Sequence, residues 1–142
     1  MAETLGSLCD KLTIVKLKQY HSRDKERLRS LKRQKDMLTL EIDEFISNAA
    51  SGRIPKDKLT FRSNKVFARQ KTKIRAFKGT IGHVVSALAE INCMLWHAQE
   101  KVYEFEKVAP KEKDRIVKQL AILNLERTNC IDEIDTTLAK LV

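Results

Sequence analysis

Residues 67–105 read FARQKTKIRAFKGTIGHVVSALAEINCMLWHAQEKVYEF, and this stretch decides the fold class. Phe67, Ile74, Phe77, Ile81, Val84, Leu88, Ile91, Leu95, Ala98, Val102 and Phe105 return at alternating steps of three and four, with Gln70 as a polar step. That spacing places them along one stripe of an α-helix. Strands would need a period of two, and the stretch does not alternate. Working outward, a helix is expected from about Lys56 to Lys107. Gly79 and Gly82 lie inside it, and each costs about 1 kcal/mol relative to Ala, so two readings stand: a bend or break, or harmless glycines in a continuous helix.

Before it, Leu5–Ala49 has no Pro and only Gly6 near its start, and Leu28, Leu31, Lys35, Leu38, Ile42, Phe45 and Ala49 repeat the same rhythm. The segment 49–55 is a loop, with Gly52 as helix stop and Pro55 disfavouring helix in the residue before it. After it, Pro110 opens a third helix to about Leu141, with Ile116, Leu120, Leu123, Cys130, Ile134 and Leu138 inward.

Short connections make the three helices antiparallel neighbours. A turn near residue 53 pairs residues whose numbers add to about 106, and a turn near 109 pairs residue 123 with about 95. The third helix is too short to cover both others. The expectation is an all-α single domain of long antiparallel helices: a three-helix bundle body (about 3–27, 79–107 and 111–142) and a protruding two-helix coiled-coil arm (about 28–78). A hinge at the Gly79–Gly82 level would face Ser22–Glu26, where Ser22 or Asp24 can cap a helix.

Composition bounds the function. Four glycines and two prolines are too few for an all-β or loop-rich chain, and the charged fraction of 33% suits long solvated helices. No run of eighteen apolar residues and no apolar leader follows the N-terminus, so a soluble, cytoplasmic protein without membrane contact is expected. Three cysteines, an odd number, read as reduced thiols. No cofactor and no enzymatic activity are expected: there is no glycine-rich phosphate loop, no nucleophile elbow and no paired carboxylate motif.

The net charge is +9, and its placement carries more information than its size. Residues 23–35 hold seven Lys/Arg against Asp24 and Glu26, and 69–78 hold five with no acid. Those 23 positions therefore carry +10 and the rest of the chain −1. His21, Lys25, Arg29 and Arg33 recur every four residues, as do Arg62, Lys65, Arg69 and Lys73. Lys25, Arg29, Lys32, Arg33, Arg69, Lys71, Lys73, Arg75 and Lys78 are the candidate contacts to a polyanion, nucleic acid or an acidic protein, placed opposite each other at the arm's base. No aromatic residue interleaves with them in sequence, so contact to the phosphate backbone is expected. A merely solvated helix face is the competing reading.

Polar residues interrupt the body's seams: Asp10, Lys11, Asn92, Trp96, Glu100, Asn124 and Arg127. They form either a ligand pocket, the basis of an alternative small-ligand or enzymatic reading, or a buried network that fixes helix register. Cys9, Cys93 and His97 come within a turn of each other and make a weak metal candidate without any paired ligand motif.

The same interruptions carry a resemblance. LGSLCDKLTI at 5–14, INCMLW at 91–96 with Glu100, and Asn124–Arg127 are similar to LGxLxDKLxI, INxxLWxxE and NxxR segments of a small all-helical family of unknown function from bacteria and phages. The resemblance covers the body and omits the basic segment. It departs at Cys9, where Ile is frequent, and at His97-Ala98, where an acidic pair is. It implies a helical fold and supplies no chemistry.

Finally, Leu38, Ile42, Phe45, Ile46, Leu59, Phe61, Val66, Phe67, Ile74 and Phe77 exceed what one two-helix seam can cover. A homodimer pairing arm to arm is therefore expected, tightening as salt screens its basic belts.

Overall fold

A computed structural model describes residues 3–61 and 74–142. Among these residues there are four α-helices and no strand: α1 Leu5–His21, α2 Lys25–Ala50, α3 Ile81–Tyr103 and α4 Pro110–Leu141. Single 3-10 turns occupy Lys56–Lys58 and Phe105–Lys107. No helix among the described residues is long and apolar enough to cross a membrane.

The first expected helix is two helices. α1 opens on a capping box, in which the Thr4 hydroxyl accepts from Ser7 N and the Ser7 hydroxyl accepts from Thr4 N. It ends at Ser22, whose backbone is extended. Asp24 then starts α2 by accepting from Arg27 N at 3.0 Å. No Gly or Pro marks this turn, so periodicity alone runs straight through it. The cap makes the break, and folding back buries Leu31, Ala49 and one side of Ile42 and Phe45.

α2 consequently lies antiparallel against α1, with Leu8 beside Phe45 and Val15 beside Leu38. This departs from the expected single unbroken first helix, in which Leu8 and Phe45 lie far apart. The second expected helix is corrected likewise. Beyond the turn at Gly52 (φ 77°), Leu59 is fully buried without belonging to an α-helix, and Ile74–Lys78 are non-helical. The helix begins only at Ile81, after Gly79 (φ 140°) and the cap Thr80, so the glycine reading that holds is a break. The arm's remaining residues, 62–73, with Val66 and Phe67, lie outside the described residues.

α3 and α4 share the most extensive interface and α1 packs on both. Val84, Leu88 and Ile91 meet Leu123, Cys130, Ile134 and Leu138, joined by Leu5, Ala49 and Leu59 from the first half of the chain. Fully buried residues such as Leu88 and Ile134 each stabilise the fold by about 2 kcal/mol, and truncation of either to Ala costs about 2–5 kcal/mol. Pro110 stands at the first turn of α4, where its missing N–H costs nothing.

Candidate polyanion-binding face and the polar contacts beneath it

The cations of 23–35 crowd the first half of α2 and the turn before it. Arg23, Lys25, Arg27, Arg29, Lys32 and Arg33 are all exposed. Of the acids nearby, Asp24 caps the helix and Asp36 pairs with Lys35 at 3.2 Å and Lys32 at 3.5 Å, while Glu26 is exposed among the cations. The hydrogen bond from Lys35 and the charge of Lys32 hold the Asp36 carboxyl below its ordinary range. Among the described residues, Arg23, Lys25, Arg27, Arg29 and Arg33 make no side-chain ion pair, while α1 adds Lys18 and His21 at the same end.

Of the second basic window only residues 74–78 are described, and its two cations there do not sit opposite the first window. Arg69, Lys71 and Lys73 lie outside the described residues. Arg75 is in the α3–α4 groove, where its Nε and Nη2 donate to Glu126 at 2.9 and 3.1 Å and its backbone N at 3.0 Å. Glu126 is buried, so the pair satisfies a carboxylate that would otherwise be stranded. This carboxylate raises the Arg75 pKa and occupies the guanidinium that sequence reasoning assigned to a partner. Lys78 is exposed two residues before Thr80, at the opposite end of the bundle from α2's cations.

The polar seam divides. Asp10, buried on α1, accepts from Asn92 Nδ2 of α3 at 3.0 Å and from Arg127 Nε of α4 at 2.8 Å, and Arg127 Nη2 reaches its second oxygen. Asn92 Nδ2 also donates to the Thr13 hydroxyl at 2.7 Å. One carboxylate thus ties three helices, and its hydrogen bond raises the Arg127 pKa. The other four seam residues are elsewhere. Lys11 pairs with Glu3, and Glu100 stands 4.0 Å from His97. Asn124 is exposed, its carbonyl accepting from the Thr128 hydroxyl. Trp96 stacks on His21 with ring centres 4.6 Å apart and planes 17° from parallel.

Sequence reasoning also missed a third buried carboxylate. Asp135 Oδ1 accepts from Gly6 N at 2.7 Å, between α1 and α4. A Cβ on Gly6 would come within 2.4 Å of the Ile131 carbonyl oxygen, so the helices approach here only because residue 6 has no side chain. Burial pushes the Asp135 carboxyl up to about 6, against the opposing pull of Gly6 N–H and the Thr4 hydroxyl. The one available signal was a glycine within the first turn of an otherwise good helix.

The weak metal candidate does not assemble. Among the described residues no three His, Cys, Asp or Glu side chains converge as ligands. Burial pushes the Cys9 thiol up to about 11, helped by Asp135 and Asp10, which disfavours a thiolate ligand. Cys93 is half-buried, and His97 is exposed, standing edge-on to His21 at 6.4 Å.

Where α1 turns into α2, a cleft of about 590 Å³ opens between Lys18, Arg27, Gln34 and the His21–Trp96 pair. Comparison with protein-family models, with curated proteins and with solved structures yields no match to this chain.

Proposed function

We propose that this chain is a non-enzymatic helical binding protein whose exposed basic face on α2 contacts a polyanion, most simply nucleic acid. The observation that carries the reading is the cluster Arg23, Lys25, Arg27, Arg29 and Arg33, exposed and without ion-pair partners among the described residues, in which Lys25, Arg29 and Arg33 form a row along one side of α2. Such a row neutralises phosphates and releases their counterions, so affinity falls steeply with salt. The helical bundle holds the row straight along roughly two turns, which suits a backbone-directed contact.

Titration against DNA and RNA at two salt concentrations tests it. Binding at low salt should weaken at least tenfold on raising salt from about 50 to 200 mM. Replacing Lys25, Arg29, Lys32 and Arg33 together by Glu should abolish it. Absence of binding at low salt, or an unaffected variant, removes the reading.

The small-ligand or enzymatic alternative has less support, because Asp10, Asn92 and Arg127 spend their hydrogen bonds on one another. Pairing of two copies belongs to the same proposal. Its support is the apolar surface that α2 leaves uncovered, with Met37 and Leu40 61% and 59% exposed and Ile46 42% exposed. Light scattering should give a dimer that tightens with added salt. A monomer at tens of micromolar in low and high salt counts against it.

A further inference from the structure

Of the cations of α2, Arg27 borders an aromatic group that the sequence does not place there. Tyr20 meets His21 edge-on at 5.2 Å, and His21 lies flat on Trp96. His21 Nδ1 is 2.9 Å from the Leu17 carbonyl oxygen, so that nitrogen donates and the ring is held in place. Trp96 comes from α3, seventy-five residues away from His21, which is why the basic segment shows no interleaved aromatic in sequence. The cleft of about 590 Å³ beside this pair is within the range, roughly 300–1,000 Å³, of sites that hold compact organic ligands.

We propose that this cleft seats a base of single-stranded nucleic acid against the Trp96–His21 pair, with the adjoining phosphates on Lys18 and Arg27. The inference rests on the polyanion reading above and narrows it to a strand whose bases are unpaired. A duplex keeps its bases stacked inside and offers α2 only its phosphates, whereas a single strand can place a base on an aromatic face. Two acids share the cleft. Asp24 is engaged with Arg27 N, and Glu26, with Gln34, offers hydrogen-bonding groups suited to the N–H edge of a base.

Trp96 is the only tryptophan of the chain, so its fluorescence reports this site alone. The full chain is titrated with a short oligodeoxyadenylate, with a duplex of the same length, and with heparin, which has charge and no bases. The single strand should quench Trp96 emission, while duplex and heparin bind without quenching. Trp96→Leu should weaken single-strand binding about tenfold and leave duplex binding unchanged. His21→Ala, an exposed position, gives a second variant should Trp96→Leu fold poorly. Salt-sensitive binding of all three probes without quenching, or equal losses for strand and duplex in the variants, overturns the base site and leaves the polyanion reading standing. Failure of all three probes to bind removes both.

Discussion

The two ends of α1 are built on opposite principles. At its N-terminal end the buried polar groups are paired across the bundle: Gly6 N on Asp135, and Asp10 on Asn92 and Arg127. The backbones there approach so closely that a methyl group does not fit. At its C-terminal end, Lys18 and His21 face an open cleft, and the cations that follow are exposed. The same helix therefore spends its polar side chains on architecture at one end and leaves them available at the other. Polarity in a helix seam does not by itself indicate a site. What distinguishes the two ends is whether the groups already satisfy each other.

Breaking the closed end should have the largest effect. Arg127→Ala leaves the Asp10 carboxylate buried without its cation and should cost about 3 kcal/mol, a fall in Tm of roughly 10 °C. Asp10→Leu combined with Arg127→Met removes both charges and should recover all but about 1 kcal/mol, since a filled apolar site replaces the pair. Arg29→Ala at the open end should stay within about 0.5 kcal/mol. Denaturant melts of these variants check the contrast, which disappears if Arg127→Ala costs no more than Arg29→Ala.

A smaller effect sharpens it through pH. The Asp135 carboxyl titrates near 6 when folded and near its ordinary value of about 3.9 when unfolded. The folded state therefore holds this proton more tightly. Asp135 is a liability above about pH 6, and the liability is relieved as pH falls from about 6 to about 4. Asp135→Asn keeps an acceptor for Gly6 N and should gain on the order of 1–2 kcal/mol at pH 8 and nothing at pH 4. A variant whose gain is the same at both pH values would place the cause elsewhere than in ionisation.

Much of the fold is readable from spacing. The stripe Val84, Leu88, Ile91 and the stripe Leu123, Cys130, Ile134 are the core of α3 and α4, and Leu123 shares a cleft with Met94, close to the expected register. Asp10, Asn92 and Arg127 stand out because each interrupts such a stripe. The break at Ser22–Asp24 is not readable in this way. Its residues are tolerable inside a helix, and only tertiary burial of α2 against α1 selects the capped turn over continuation. That one turn changes the pairing of α1: Leu8 meets Phe45, where the unbroken helix pairs it far beyond Pro55. The Arg75–Glu126 pair and the His21–Trp96 stack are long-range contacts between residues with no shared periodicity, so no local pattern announces them. Ile74 and Phe77 show the converse. Their three-residue step imitates a helix, yet Phe77 reaches the core from a non-helical segment.

The bond between Gly6 and Asp135 spans 129 residues, and that from Asp10 to Arg127 spans 117. Closing so large a loop of free chain is entropically costly, though the cost rises only with the logarithm of its length. The α3–α4 hairpin, whose facing residues are near in sequence, closes a far smaller loop. Assembly is cheapest when that hairpin forms first and presents Asn92, Arg127 and Asp135 as a prepared groove for α1. The glycine at position 6 then acts as a gauge on the final docking step: only a helix correctly seated along α4 brings its amide onto the Asp135 oxygen.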